Sequence, residues 1–326
     1  MAADKIPAIL KEDFSNTLVS WWTNEDIETL KDVLMFTMNL LTVPPVETIK
    51  SSLRSLYALG FSTGDNNGND QLTELGFFLA HRDYSLGDIR YTKALYYASW
   101  YGCKDEVAVI LSIFNLKKGI ADLFSECSNK NLSKKEAKDC QKRQSRFRNP
   151  YGDMMAAWYA FLSYADESEN QRSFAWNKMT KWAEKNFVRL NEMEKVRKAY
   201  AELIYKKKKY PFVLFKESGE EKIKFTKLED KITYCMLKGF YINLAQKKGN
   251  KYINLFPEKK GKETLNDIIK IDRNNGLNFM TKQSKYIIYN QLKKFDTGTK
   301  YIDTMAIPEH IVDLLTDFEK EMVGLN

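Results

Sequence analysis

Residues 44–76 read PPVETIKSSLRSLYALGFSTGDNNGNDQLTELG. The proline pair stops whatever helix precedes it, because proline lacks the N–H and its ring clashes with the backbone one turn back. Ile49, Leu53, Leu56 and Leu59 then share one helical face, which predicts a helix from Val46 to Leu59. Gly60 stands where a left-handed cap ends such a helix. The Gly-, Asn- and Asp-rich stretch Ser62–Asp70 predicts a turn, and Gln71–Gly76 a short strand with apolar residues running on to Ala80. Upstream, Ile27, Leu30, Val33, Leu34, Phe36, Met38 and Leu41 predict a helix over Asn24–Leu41. Helix, helix, polar turn and short strand is the pattern of a small winged-helix unit.

Helical spacing continues from Asp88 to Phe114, broken at Gly102, and returns at Asp153–Tyr164 and Phe174–Tyr205. Between them, Ser125–Asn149 is polar, with eight Lys and Arg between Lys130 and Arg148, and predicts an exposed insertion or helical hairpin. One more helix is predicted over Leu228–Ala245. The chain then turns to β-branched and aromatic pieces: Tyr252–Phe256, Thr264–Ile271, Tyr286–Leu292 and Tyr301–Ile307, with turns such as Asn274-Asn275-Gly276. Short strands at such intervals predict a small barrel or sandwich. A last amphipathic helix, Pro308–Met322, turns Ile311, Leu314, Leu315 and Phe318 inward. The expected fold is mainly α with a C-terminal all-β part. It divides into residues 1–90, a helical bundle over 91–212 with the basic insertion at 125–149, and 213–326.

The 326 residues, 44% hydrophobic and 13% aromatic, suffice for two or three small cores. No apolar run approaches the roughly 20 residues of a membrane span, and the N-terminus lacks the basic-then-apolar order of a secretory signal. The formal net charge of +8 favours a polyanionic partner, most simply nucleic acid. Cys103, Cys127, Cys140 and Cys235 form no CxxC pair, and the only histidines are His81 and His310, so no zinc site is expected. The cysteines are read as reduced and the compartment as intracellular, with nucleus and cytoplasm not separated.

Catalytic motifs are missing. A P-loop needs a glycine-rich turn ending in GK[ST] to cradle phosphates; the one Gly-Lys pair, Gly261-Lys262, is followed by Glu263. GxGxxG and HExxH do not occur. Asp105-Glu106 and Asp303 are read as solvated or capping carboxylates. No catalytic residue, metal ligand or cofactor site is assigned to this chain.

Several ordered strings resemble a known family. Pro7-Ala8-Ile9-Leu10 opens the series, and Pro44-Pro45-Val46-Glu47-Thr48-Ile49 follows. Leu72-Thr73-Glu74-Leu75-Gly76 and Gly102-Cys103-Lys104-Asp105-Glu106-Val107 come next. Trp182 with Asn186-Phe187, Gly239-Phe240-Tyr241-Ile242-Asn243 and Thr299-Lys300-Tyr301 close it. In this order they resemble the C-terminal region of DEAH/RHA-type RNA helicases. That resemblance implies a winged helix, a helical "ratchet" bundle and an OB-fold that together line a single-stranded RNA channel. ATP and Mg would act only through motor domains, in cis or in trans, and a G-patch-type activator is an implied partner. The chain departs from the pattern at Gly152-Asp153-Met154-Met155, where the family has a histidine, and at Asp303, where it has an arginine.

Nucleic-acid grip needs cations for phosphates and aromatics for bases. On the ratchet the candidates are Lys181, Lys185, Arg189, Lys195 and Arg197, the first three spaced as one helical stripe. On the β part they are Lys282, Lys285, Tyr286, Lys293 and Lys300, with Lys294 beside them. Lys206–Lys209 and the loop 247–262 are further basic segments, and Trp21-Trp22 is read as packing. Two functions follow: a nucleic-acid-binding cassette for single-stranded RNA or DNA, or a docking scaffold that keeps the fold without strong RNA contacts. Neither involves a membrane.

Overall fold

The computed structural model describes residues 14–22, 27, 29–40, 43–64, 70–73, 75–77, 88–127, 133–169, 176–209, 222–249, 251–256, 259–260, 263–264, 270–271, 284–295 and 298–325. Three helices come first: α1 (Ser15–Trp22), α2 (Leu30–Met38) and α3 (Val46–Ala58). The predicted helix over Asn24–Leu41 is shorter at its start because Thr29 caps it. The Thr29 hydroxyl accepts from the Asp32 N–H at 3.4 Å and the Asp32 carboxylate accepts from the Thr29 N–H at 2.9 Å. Gly60 ends α3 as expected, at φ 76°, with the Phe61 N–H donating back to the Leu56 carbonyl at 2.9 Å. Beyond it the described residues hold one antiparallel bridge, Ser62 with Leu72, but residues 75–77 are helical, so the short strand expected over Gln71–Gly76 does not extend past the bridge.

The helical middle is α4 (Ile89–Tyr101), α5 (Lys104–Phe114), α6 (Lys134–Gln144), α7 (Asp153–Glu169), α8 (Trp176–Asn186) and α9 (Leu190–Lys209). Asp88 caps α4, and Gly102 at φ 72° separates it from α5. The stretch read as one helical run over Phe174–Tyr205 is two helices. Phe187 sits at φ 55°, Val188 bridges Phe124, and the Arg189 N–H donates to the Leu123 carbonyl at 2.8 Å, so the backbone leaves the helix to pair across the bundle. The basic insertion contains α6, whose one buried residue is Cys140. Cys140 is disulfide-bonded to Cys127 with Cα atoms 5.5 Å apart. This corrects the reading of all four cysteines as reduced thiols. The other two, Cys103 and Cys235, are buried with sulfurs 3.6 Å apart.

α10 (Leu228–Phe240) lies against α4 so closely that a Cβ on Gly239 would come within 2.5 Å of the Arg90 carbonyl oxygen. The expected helix to Ala245 stops early: residues 241–243 form a 3-10 turn and Leu244 starts a strand. The reason is tertiary. The Asn243 side chain donates to the Tyr289 carbonyl at 2.9 Å, and Leu244 pairs with Ile288. The strands are β1 (Leu244–Lys248), β2 (Lys251–Asn254), β3 (Lys259–Lys260), β4 (Glu263–Thr264), β5 (Lys270–Ile271), β6 (Tyr286–Phe295) and β7 (Gly298–Ile307). Their main sheet runs β2-β1-β6-β7-β5, antiparallel except for β5, which pairs with β7 in parallel. The last helix is broken into α11 (Glu309–Val312) and α12 (Asp317–Met322) by a capping box, Thr316 with Glu319.

One buried cluster extends from Phe14 through the helices to Val323, and a smaller one, with Ile287, Tyr289 and Tyr301, covers the far face of the sheet. The fold is thus mainly helical with a small sheet near the C-terminus. Trp22 is buried and Trp21 packs edge-on to Phe14 and Phe36, as the packing reading requires. No helix among the described residues is long and apolar enough to cross a membrane.

Two buried charge clusters tie these layers together. Glu319 accepts from Lys238 at 2.7 Å and lies 3.8 Å from Lys93, all three nearly excluded from water. Lys93 also donates to the Leu59 carbonyl at 2.9 Å and lies over the Tyr241 ring. Burial pushes the Glu319 carboxyl up, but the two ammoniums overcome it and hold it below the ordinary glutamate value. The second cluster centres on Asp303, which was read as solvated or capping. It caps, but it is buried at 4% exposure. One carboxylate oxygen accepts the Ile120 N–H at 3.0 Å, and the other has no hydrogen-bond partner. Asp303 adopts φ 52°, and burial is the main cause that pushes its carboxyl up to about 6.

Candidate nucleic-acid interface

The predicted ratchet residues do not form one stripe. Lys181 and Lys185 are exposed, one turn apart on α8. α8 ends at Asn186, so Arg189 is off that helix, and its guanidinium meets Asp122 at 3.5 Å instead. On α9, Lys195 pairs with Glu192 at 2.7 Å and Arg197 with Glu194 at 3.0 Å. Glu194 is also the acceptor for the Tyr164 hydroxyl, so Arg197 belongs to a local network. Two of the five cations thus share one exposed helix face, and three are engaged by carboxylates.

On the β part, Lys282 lies outside the described residues. Lys285 is exposed, donates to Glu309 at 2.7 Å and lies over the Tyr286 ring. Tyr286 itself is buried in the sheet and is not a stacking platform. Its ring belongs to the main core, at the start of the central strand β6, where it pairs with Gln246 and Ile307.

Lys293 and Lys300 are placed by the sheet register. They stand directly opposite each other on β6 and β7, and Lys270 on β5 is the register partner of Lys300 on its other side. Three lysines therefore lie abreast across three strands. The β1–β2 hairpin repeats the arrangement, with Lys248 opposite Lys251 beside Gly249 at φ 62°. Among the described pairs of this sheet, none sets a lysine opposite an acidic residue. Like charges directly opposite each other destabilise a ladder. A sheet with such pairs gains from an anion laid along it, and a phosphodiester backbone has the required repeat of single charges.

The ladder tightens this electrostatic picture at one point. Lys293 opposes, at Asp303, the burial that raises the carboxyl. The Asn290 carbonyl between them accepts from Arg90 at 3.0 Å, and the Asn290 side chain accepts from the Tyr91 hydroxyl at 2.9 Å. Burial pushes that hydroxyl up to about 12, so it stays a donor. β6 is in this way fixed to α4 at Asn290.

Sequence reasoning counted Lys248 and Lys251 only within the basic loop 247–262 and did not single out Lys270. The signal present was the hairpin glycine, Gly249, inside a lysine run; the signal lacking was register. No protein-family model matches this sequence.

Proposed function

We propose that this chain is a nucleic-acid-binding module, the C-terminal, RNA-gripping cassette of a DEAH-type helicase, working with motor domains in cis or in trans. In this reading α2, α3 and the Ser62–Leu72 bridge are a reduced winged helix, α4–α9 the ratchet, and the sheet the strands of an OB-fold. The observation that carries the proposal is the set of lysine–lysine register pairs: Lys293 with Lys300, Lys270 with Lys300, and Lys248 with Lys251. The ordered resemblance and the net charge of +8 support it. The chain contributes grip alone; ATP and Mg would belong to the motor, whose movement draws the strand across this surface.

Fluorescence anisotropy with a labelled single-stranded RNA, titrated from low to moderate salt, tests the reading. Binding should weaken with a log–log slope of about −0.7 per phosphate contacted. Lys293→Ala and Lys300→Ala should each reduce the size of that slope by about 0.7, one phosphate contact, without favouring any base sequence. Absence of salt-sensitive binding would refute the grip.

A second reading rests on a different surface. α2 and the start of α3 expose Leu34, Met35, Phe36, Met38, Val43 and Val46, with Met38 at 73% exposure. An apolar face of this kind marks a docking surface. It fits the scaffold alternative, in which a motor subunit or a G-patch-type activator binds here.

A further inference from the structure

A cavity of about 750 Å³ opens at the end of the sheet away from the Lys293–Lys300 pair. Its wall comes from four separate parts of the chain: the segment before α7, the residue before α10, the β1–β2 hairpin, and the strand ends that frame β6 and β7. Pro150, Tyr151, Ala306 and Pro308 supply carbon surface, and Lys227, Lys247 and Lys285 supply cations. Glu309 is the one carboxylate of the lining and is engaged by Lys285.

The carbon floor is fixed before any ligand arrives. The Tyr151 carbonyl accepts from the Ala306 N–H at 2.7 Å, and its hydroxyl donates to Asp230 at 2.8 Å. Burial, with Asp230 as that acceptor, raises the Tyr151 hydroxyl far above the ordinary tyrosine value, so it remains a protonated donor. The Lys247 backbone is fixed likewise, its N–H donating to the Lys285 carbonyl at 2.8 Å. A rigid ring and prolines beside three ammoniums from three elements match a ligand with one flat face and one compact anion. A volume of this size lies within the ordinary range for small-molecule sites, and preorganised walls cut the cost of binding.

We propose that this cavity is a nucleotide pocket: it takes a nucleoside 5′-monophosphate moiety, with the base against Tyr151 and Pro308 and the phosphate between Lys227, Lys247 and Lys285. The moiety is either one unit of a bound strand or a free nucleotide. As a strand unit it rests on the nucleic-acid reading above and narrows it to a second, separate contact on the same sheet.

Titration calorimetry of the full chain with adenosine 5′-monophosphate, uridine 5′-monophosphate, uridine and inorganic phosphate tests this, alongside anisotropy with a single-stranded RNA. Both monophosphates should bind, uridine should bind at least about tenfold more weakly, a loss near 1.4 kcal/mol, and phosphate should compete. Lys227→Glu and Lys247→Glu should each abolish nucleotide binding, while Lys138→Glu on the exposed face of α6 should not. Two charge reversals from different elements keep the test decisive if one variant misfolds. RNA binding that falls with both variants assigns the strand form; unchanged RNA binding with lost monophosphate binding assigns the free form. Salt-sensitive RNA binding without any monophosphate binding overturns the pocket and leaves the nucleic-acid reading intact. Monophosphate binding that survives both reversals also overturns it, and binding of neither ligand overturns both proposals.

Discussion

Replacing Glu319 by glutamine isolates the charge at a buried ion cluster formed with Lys238 and Lys93. Glutamine keeps the volume and an oxygen that can accept the Thr316 N–H, a bond of 3.0 Å in the capping box. What it removes is the negative charge facing Lys238 at 2.7 Å and Lys93 at 3.8 Å, at side-chain exposures of 2% and 5%. Breaking a buried pair from one side costs about 3–5 kcal/mol, because the partner charge stays buried. Here two ammoniums are stranded, so Glu319→Gln should lose at least about 3 kcal/mol, a large share of the stability of an ordinary domain. Urea denaturation followed by far-ultraviolet circular dichroism measures it. The pH dependence supplies an independent check. Glu319 has a folded pKa held below the ordinary glutamate value, so its contribution is present above that ordinary value and is lost as pH falls through the folded one. The variant should lose this acid-side loss of stability altogether. A cost under about 1 kcal/mol, or an unchanged acid limb, would refute the claim that the cluster joins α4, α10 and α12 electrostatically.

Asp303 should act with the opposite sign. Its folded pKa is raised to about 6, so its stabilising contribution is complete below the ordinary aspartate range and is lost as pH rises towards 6. Asp303→Asn should flatten that limb, a difference of roughly 3 kcal/mol by linkage, read from urea midpoints between pH 4 and 7. Gly239→Ala should destabilise by about 1–3 kcal/mol, because the new methyl meets the Arg90 carbonyl oxygen at 2.5 Å and the Ala94 Cβ at 2.7 Å. A raised melting temperature would show that the α4–α10 contact is looser than described. Reduction of Cys127–Cys140, or Cys140→Ser, should release α6, since a loop of this length is constrained by about 3 kcal/mol and the helix buries no other residue. Trypsin should then cut first within Lys134–Arg143; unchanged cleavage would show that other contacts hold the helix.

Most helices were legible from the sequence because their causes are local. The face Ile49–Leu56 with Gly60, and the break at Gly102, lie within a few residues of what they decide. β6 and β7 were legible for the same reason, as runs of β-branched and aromatic residues, and both proved longer than expected. β1 was not, because Leu244–Lys248 continues the apolar pattern of α10 and becomes a strand only where β6 offers a partner. The candidate site divides in the same way. That lysines crowd this chain was plain from composition. That Lys293, Lys300 and Lys270 stand abreast, that Tyr286 is buried, and that Arg189 is drawn to Asp122 follow from register and packing.

The sequence by itself determined the helical periodicity, the caps at Gly60 and Gly102, the net charge and the absence of a phosphate-cradling motif, because each is written in adjacent residues. Only the tertiary structure decided which cations meet carboxylates and which meet each other. Glu319 reaches Lys93 across 226 positions of chain, and the Asp303 carboxylate reaches the Ile120 N–H across 183. Coulomb energy and desolvation depend on distance in space, and separation along the chain does not fix that distance.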